Sequence, residues 1–315
     1  MLGLLGAPEL VGAAMNGGQL LQLSTSEVDN RNSWGSAAHV FVDDLELLEL
    51  SGTDAHHLSR TLRLRAGELV TASDGAGRWR ECVWKGRGRA GGVGAAGGAS
   101  VAGGPAPGLG VLEAAGPVVS VAPASPLVTI GFALIKGDRP EAVVRALTEL
   151  GVDRIQPLIA ARSVVRWPQE RAQAHLARLR RVAREAAMQS RRVWLPSVEP
   201  AAAFAELAEL AELAELAELA ELEGPLSAAA ASGTPGDAPA VLAQAGGGPV
   251  CLERPTILVG PEGGWEDSEL AAGLGLVGLG DAVLRTETAA ITAAALLCAL
   301  RSGAIEGGVG KIERV

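Results

Sequence analysis

The sequence predicts an α/β fold, in which a parallel sheet carrying helices follows a small, mostly β domain. After residue 127, apolar runs of strand length alternate with helical segments, as they do in parallel sheets. Between residues 38 and 122, short β-patterned segments are separated by turn residues. The chain has 315 residues, 48% of them hydrophobic, which is enough for a large core, but only 3% are aromatic. We therefore expect a core built mainly from Ala, Val and Leu.

The first part of the chain is predicted to form a tail and a compact β domain. Residues 1–37 are rich in Gly, Ser and Asn and have no sustained periodicity, which favours a flexible tail. In residues 38–122, AHVFVDD is typical of a strand, DAHHLSRTLRL of a short helix, and ELVTASDGAGRWRECVWK of a hairpin that turns at Asp74 and Gly75. A Gly/Ala-rich segment, 86–116, is expected to be a disordered loop inside this domain.

Residues 123–315 are predicted to contain the parallel sheet. LVTIGFALI is a continuous apolar run, typical of a strand that is buried on both faces. RIQPLIA is the next strand, and the helical segment between the two completes a βαβ unit, so these strands should be parallel. A long helix from about 168 to 190 and a short strand, VWLPSV, follow.

Capping residues predict where two of the helices begin and end. Asp138 is the expected N-cap of the first helix, with Glu141 as its capping-box partner. Gly151 is a natural C′ residue for the same helix. Thr286 is expected to cap the last helix, with Glu287 in the first turn, where the helix dipole favours a negative charge.

A low-complexity insert is predicted at 200–249. Its core is six copies of Ala-Glu-Leu at 205–222. Helix propensity is high, but a three-residue period turns successive leucines about 60° around the helix, so no continuous apolar stripe forms. This excludes a coiled-coil seam, which needs a period of 3.5. We expect a mobile helix or a disordered loop without a chemical role.

Two glycine loops after buried strands are the best candidates for a binding site. VGPEGG follows the apolar strand TILVG, and GLGDAVLRTETAA follows the strand LVGLG. Open α/β sheets bind ligands at the carboxyl ends of their strands, so two such loops on adjacent strands would form one pocket. The alternative is a purely structural turn. The sequence contains neither GxGxxG nor GxxxxGK[ST], which argues against a usual dinucleotide site or P-loop.

The charge is unevenly distributed along a chain whose net charge is −9. The segment from His56 to Arg89 contains eight Lys/Arg and three Asp/Glu, and the segment from Lys136 to Trp194 contains thirteen Lys/Arg and six Asp/Glu. Two basic blocks in an acidic chain indicate a polyanionic partner, with solvated helix faces as the alternative. Three scattered cysteines and the lack of a signal or membrane-spanning pattern favour a reducing, cytoplasmic location.

Four blocks of sequence resemble the 16S ribosomal RNA (uracil-N3)-methyltransferase family of the SPOUT superfamily. They are KGDRPEAVVRALTELGVDRIQPLIAARSVVRW, REAAMQSRRVWLP, ILVGPEGGWEDSEL and GLGDAVLRTETAAITAAALL. HHLSRTLRLRAGELVTASDGAG similarly resembles the family's PUA-like RNA-binding domain. The resemblance implies a trefoil-knotted domain at 123–315, a PUA-like β-barrel at 38–122, homodimerisation with the site near the interface, and S-adenosylmethionine as methyl donor.

The resemblance also implies the residues of the cofactor site. One loop carries GPEGG, a second carries the LG and VL pairs, and a third contact is expected at the end of a strand near Val241–Ala243. The implied cofactor-binding residues are Leu242, Gly260, Pro261, Glu262, Gly263, Gly264, Leu279, Gly280, Val283 and Leu284.

Methyl transfer to uracil N3 requires stabilisation of an anionic base, for which an arginine is suited. Arg285, beside the second loop, is the candidate catalytic residue; the alternative is that it pairs with Glu262 or Glu287. Thr286 and Glu287 are expected to fix the turn rather than act as acid or base. Methyl transfer needs no metal, and adjacent residues such as His56 and His57 face apart on a helix, so no metal site is expected.

Basic side chains in both blocks are candidates for contacts with RNA phosphates. The candidate RNA-binding residues are His57, Arg60, Arg63, Arg162 and Arg166. Exposed surface without a ligand is the alternative for any one of them. A lysine usual in the family is Ala146 here, next to Arg145, which would have to replace it in any contact with RNA.

The resemblance implies methylation of N3 of a uridine in 16S ribosomal RNA, with the RNA presented in the assembled 30S subunit. Two alternatives stay open. The chain could be a catalytically silent RNA-binding or ribosome-assembly protein of the same fold, or it could carry out the same chemistry on another RNA. No membrane or metal partner is expected.

Overall fold

The computed structural model describes residues 10–16, 19–24, 35–87, 110–210 and 240–306. The chain divides into two compact units. The first contains Met1–Pro123 and Ala187–Leu195, and the second contains Ala124–Ala186 and Pro196–Val315. In the part that the structure describes, no helix has the length and apolar character needed to cross a membrane.

The first unit is built on an eight-stranded sheet. Its strands are β1 (Leu10–Asn16), β2 (Gln19–Ser24), β3 (Ala38–Phe41), β4 (Glu49–Leu50), β5 (Leu69–Ser73), β6 (Arg78–Arg87), β7 (Gly110–Ala114) and β8 (Val119–Val121). Six of them follow the order β2-β1-β8-β6-β5-β3, and β7 pairs with β4 and β6. The short helix α1 (Gly52–His56) continues into a π-helical turn, His57–Thr61.

The predicted hairpin is confirmed, because β5 and β6 pair antiparallel. The Oδ1 atom of Asp74 accepts hydrogen bonds from the backbone N–H groups of Ala76 and Arg78, at 2.8 and 3.0 Å, which closes the turn. The core of this unit contains Leu50, Leu58 and Trp84, each at most 1% exposed.

Regular structure extends into segments that the sequence pattern did not predict as strands. β1 and β2 lie within residues 1–37. β7 begins at Gly110, inside the predicted loop 86–116, of which residues 88–109 lie outside the described residues. A Cβ at Gly110 would come within 2.7 Å of the Trp84 ring, so this glycine allows close packing rather than marking a loop.

The second unit is an α/β layer with a seven-stranded parallel sheet. Its strands are β9 (Thr129–Ala133), β10 (Arg154–Ile159), β11 (Ser197–Val198), β12 (Ala202–Ala203), β13 (Ala240–Gly248), β14 (Thr256–Val259) and β15 (Gly275–Val277). Its helices are α2 (Arg139–Leu150), α3 (Gln169–Gln189), α4 (Asp267–Leu270) and α5 (Thr286–Arg301). The strand order is β11-β10-β9-β14-β13-β15, with β12 also paired to β10.

The predicted βαβ unit is confirmed, since β9 and β10 pair in parallel and α2 joins them. All five residues of β9 are buried, as its continuous apolar run predicts. The predicted apolar face of α3 packs into the core through Leu176, Leu179 and Ala183. The segment VWLPSV contributes only the two-residue strand β11.

Two capping predictions are wrong in detail, although the helix positions are right. Asp138 occupies the N-cap of α2 but makes no capping hydrogen bond. Arg178 pairs instead with Asp138 and Glu141, at 3.2 and 2.8 Å, so both carboxylates of the predicted capping box have another partner. The N-cap of α5 is Arg285, and Thr286 is its first helical residue. Gly151 ends α2 with a φ of +104°, as predicted.

The predicted insert at 200–249 is bounded differently in the structure. A helix begins at residue 204 and is described as far as 210, and the rest of the Ala-Glu-Leu repeats lie outside the described residues. Residues 240–248 form β13, between β14 and β15. Val241 and Leu242 are 3% and 0% exposed, so the first half of this strand belongs to the core.

Candidate functional site

Three loops meet at the carboxyl edge of β13, β14 and β15. The two glycine loops were predicted to follow adjacent strands, and this is wrong, because β13 pairs with both β14 and β15 and separates them. In a parallel sheet the carboxyl ends of neighbouring strands lie at one edge. The end of β13 therefore lies between the two glycine loops and supplies the third.

The third loop is a bulge at residues 244–247. Ala243 and Gly248 are both opposite Val277 of β15, so the four residues between them leave the ladder. A Cβ at Gly247 would lie 2.5 Å from the Val277 backbone, which only glycine permits. The cofactor contact implied at Leu242 instead falls on a fully buried core side chain. The run of three glycines at 246–248 was the signal for this bulge.

The first glycine loop follows β14 and is a tight turn. The backbone N–H of Gly264, at a φ of +72°, donates to the Pro261 carbonyl at 2.8 Å. A Cβ at Gly260 would lie 2.9 Å from the Trp265 ring. The indole N–H of Trp265 donates to the Ala243 carbonyl at 3.1 Å, which ties this loop to the end of β13. The loop residues Glu262 and Gly263 remain exposed.

The second glycine loop runs from β15 to α5. Leu279 and Leu284 are partly buried against the core, so they form an apolar floor. Gly280 has a φ of +129°, and Val283 is 97% exposed. The Thr286 hydroxyl donates to the Gly260 carbonyl at 2.9 Å and so joins the two glycine loops.

An ion-pair cluster that sequence reasoning missed crosses the site. Arg139 Nη1 lies 3.4 Å from Glu262 Oε1 and 3.3 Å from Glu287 Oε1. Its Nε–H donates to the Lys136 carbonyl at 3.1 Å. The other carboxylate oxygen of Glu287 is buried without a hydrogen bond. Arg139 follows β9, whose carboxyl end lies at the same sheet edge. That position in the sequence indicates a residue of the site.

Arg285 is exposed at the N-terminal end of α5. The alternative role, pairing with Glu262 or Glu287, is not found, because Arg139 pairs with both. Within the described ranges, no ion pair or side-chain hydrogen bond involves Arg285. The guanidinium is thus available to a ligand beside the second glycine loop.

The candidate RNA residues of this unit lie in the loop after β10. Arg162 is exposed, and its Nη1–H donates to the Gly263 carbonyl at 3.1 Å. Arg166 is also exposed and lines a cavity of about 610 Å³, a volume usual for small-molecule sites. Buried Glu269 accepts a hydrogen bond from the Ala161 N–H at 2.8 Å and holds the start of this loop.

The other RNA candidates lie on the π-helical turn of the first unit and directly after it. His57, Arg60 and Arg63 are all exposed. Arg63 has a φ of +56°, and π-turns and left-handed non-glycine residues both occur preferentially at functional sites. The turn and the residues after it therefore present three basic side chains to solvent.

Two buried groups in the first unit have shifted pKa values. Burial lowers the pKa of His39 to about 4, and the nearby charge of Arg191 acts in the same direction. Burial raises the pKa of the Cys82 thiol to about 11. None of the three cysteines forms a disulfide. In the described part of the chain, no group of three or more His, Cys, Asp or Glu is placed to hold a metal ion.

Comparisons with known proteins agree on one family. A family model described as an RNA methyltransferase domain matches residues 123–298. A relative from Mycobacterium bovis, named ribosomal RNA small subunit methyltransferase E, is 34% identical over 78% of this chain and 83% of its own. A relative of the same name from Synechocystis is 33% identical over 80% of this chain and 72% of its own.

A solved structure shares the fold. It is the ribosomal RNA small subunit methyltransferase E from Neisseria gonorrhoeae bound to S-adenosyl methionine. The two chains are 24% identical and superpose with a TM-score of 0.59, covering 84% of this chain and 97% of that one.

Proposed function

The chain belongs to the RNA methyltransferase family that contains ribosomal RNA small subunit methyltransferase E, and on this basis we propose that it methylates N3 of a uridine in 16S ribosomal RNA. S-adenosylmethionine is the methyl donor, and the assembled 30S subunit is the proposed substrate. The observation that carries the proposal is the unpaired, exposed Arg285 beside two glycine loops that a hydrogen bond joins.

The residues at this edge fit S-adenosylmethionine. Glycine at positions 247 and 260 lets the backbone pack directly against Val277 and Trp265, which fixes the course of the bulge and of the first glycine loop. Leu279 and Leu284 supply an apolar surface for an adenine ring. Backbone N–H and C=O groups of the three loops supply hydrogen bonds to its polar edge. When bound, the cofactor supplies a methyl group on a positively charged sulfur.

Arg285 is the proposed catalytic residue. Uracil N3 becomes a good nucleophile only when it loses its proton, here to solvent, and the negative charge then spreads onto the two carbonyl oxygens. A guanidinium in hydrogen-bonding distance of one of these oxygens stabilises that charge more than it stabilises the neutral base. Thr286 and Glu287 fix the turn through Gly260 and Arg139, so neither is needed as an acid or base.

Basic residues of each unit are proposed to bind the RNA backbone. In the second unit, Arg162 and Arg166 lie after β10, on the loop that contacts the first glycine loop. In the first unit, His57 and Arg60 lie on the π-helical turn, and Arg63 follows it. Phosphate contacts position the RNA without reading its sequence.

The finer architecture is also part of the proposal. We assign a PUA-like β-barrel to 38–122 and a SPOUT-type trefoil-knotted domain to 123–315, whereas β1 and β2 replace the flexible tail expected at 1–37 over Leu10–Asn16 and Gln19–Ser24. We propose a homodimer with the site near its interface, which is consistent with the 97% exposure of apolar Val283. A cytoplasmic location follows from a ribosomal substrate and agrees with three cysteines that form no disulfide.

Labelling of unmodified 30S subunits tests the proposal. The folded protein is incubated with methyl-labelled S-adenosylmethionine and 30S subunits, and the 16S RNA is digested and examined by mass spectrometry. We expect one uridine that carries the label at N3. Labelling of free transfer RNA or 23S RNA alone would move the target to another RNA. No labelling, together with retained 30S binding, would favour a catalytically silent RNA-binding protein.

A further inference from the structure

One arginine contacts three separate parts of the chain at the carboxyl edge of the sheet. The Nε–H of Arg139 donates to the Lys136 carbonyl, in the loop after β9. Its Nη1 lies 3.4 Å from Glu262, in the first glycine loop, and 3.3 Å from Glu287, in the first turn of α5. Because a guanidinium is planar and rigid, fixing its Nε also fixes the direction of its Nη1.

These contacts join parts of the chain that lie far apart in sequence. Glu262 is 123 residues from Arg139, and Glu287 is 148 residues away. Without the guanidinium, the two carboxylates would repel each other across the entrance to the loops. Arg139 therefore neutralises both carboxylates. It also connects the first glycine loop to the first turn of α5, which the proposed function places at the cofactor site.

These ion pairs contribute little to overall stability. The side chains of Arg139 and Glu262 are 40% and 48% exposed, and that of Glu287 is 22% exposed. Ion pairs that water and salt can screen contribute little to the free energy of unfolding. Ligand binding is more sensitive than stability to the loss of such a pair, because small displacements of contacting groups strongly affect ligand binding and reaction.

We infer that Arg139 is a positioning residue for the methyl donor, which holds the first glycine loop and the first turn of α5 in their binding geometry through Glu262 and Glu287. This inference rests on the proposed function, since it concerns the same cofactor site. Arg139 acts through the two carboxylates and is not itself a ligand of the cofactor.

Calorimetric titration with S-adenosylmethionine in the absence of RNA tests the inference. We expect R139A to bind about tenfold more weakly than the unmodified protein, with nearly the same melting temperature. R139K should be intermediate, since its amine keeps the charge but loses the Nε contact with Lys136. The matched control is R178A, because Arg178 is also an exposed arginine that pairs with two carboxylates, Asp138 and Glu141. It should bind like the unmodified protein.

A double-mutant cycle separates positioning from direct contact. In an E262Q/E287Q background, R139A should weaken binding little further, because its partners are already neutral. Equal cofactor affinity of R139A and the unmodified protein would overturn the inference and leave the proposed function intact. A full additional loss in the E262Q/E287Q background would also overturn it, since Arg139 would then act directly.

If R139A does not fold, the E262Q/E287Q variant carries the test, and unchanged affinity in that variant overturns the inference. Failure of the unmodified protein to bind the cofactor would instead overturn the proposed function, and this inference with it.

Discussion

The Thr286 hydroxyl donates a hydrogen bond of 2.9 Å to the Gly260 carbonyl, and this contact joins the two glycine loops across 26 residues. Thr286 is 2% exposed, so water does not compete for its hydroxyl. The sequence predicts Thr286 as a helix cap, whereas the structure uses it to connect two strand ends that β13 separates.

Replacing Thr286 should therefore weaken both stability and cofactor binding. T286V keeps the shape but removes the hydrogen bond, and we expect a loss of about 1–2 kcal/mol in the free energy of unfolding. T286S keeps the hydroxyl and should retain more of both properties. T288V, at an exposed position of the same helix, is the control. Urea denaturation and calorimetry measure the two effects, and equal values for T286V and T288V would contradict the prediction.

Substitution of Arg285 should slow catalysis without weakening cofactor binding. For R285A we expect kcat to fall about 10²- to 10³-fold, as when a charge-stabilising donor is removed. The loss should be greater at neutral pH than at alkaline pH, because Arg285 lowers the pKa of the bound base and its removal raises it. The measurement is the pH–rate profile with 30S subunits. A uniform loss at every pH would show that Arg285 does not stabilise the anionic base.

Buried His39 should make the first unit less stable in acid. Burial lowers the pKa of its imidazole from 6.5 to about 4 in the folded protein, so protons bind the unfolded chain more tightly. The stability that neutral His39 provides is complete above about pH 6.5 and is lost as the pH falls toward 4, to a total of about 3 kcal/mol.

Denaturation of H39Q at several pH values checks this. Between pH 6.5 and 4, H39Q should lose less free energy of unfolding than the unmodified protein. H56Q, which changes an exposed histidine, should follow the unmodified curve. Parallel curves for H39Q and H56Q would mean that His39 is not responsible for the acid sensitivity.

The glycine bulge after β13 should tolerate a methyl group at one position and not at its neighbour. A Cβ at Gly247 would lie 2.5 Å from the Val277 backbone, whereas at Gly248 the nearest atom is 3.7 Å away. We expect G247A to cost about 1–3 kcal/mol of stability and to weaken cofactor binding, because backbone must move. G248A should be close to neutral. Thermal denaturation with and without S-adenosylmethionine compares the two variants, and equal effects would place the bulge elsewhere.

Local sequence patterns predict the parts of this fold in which the pattern is strong. The apolar runs around Phe132 and Leu258 predict buried strands, and both residues are at most 2% exposed. β13 escapes such reasoning, because AVLAQAGGG continues the composition of the preceding insert. Only its pairing with β14 and β15 identifies it as a core strand.

In the site too, local sequence predicts some features and not others. Glycines after a strand predict the two loops, because glycine is the residue that allows a close approach to the backbone. The partners of Arg139 cannot be predicted in this way, because Glu262 and Glu287 come near it only through the order of the strands. That order is set by long-range packing, which local propensity does not encode.

The connection from β12 to β13 begins after Ala203 and ends at Ala240. Closure entropy grows slowly with the length of a connection, and a doubling costs only about 0.6 kcal/mol. We therefore expect that adding or removing one Ala-Glu-Leu unit changes the free energy of folding little. The length of this connection can therefore change at little cost to folding, whereas Gly247 admits no side chain because the Val277 backbone lies beside it.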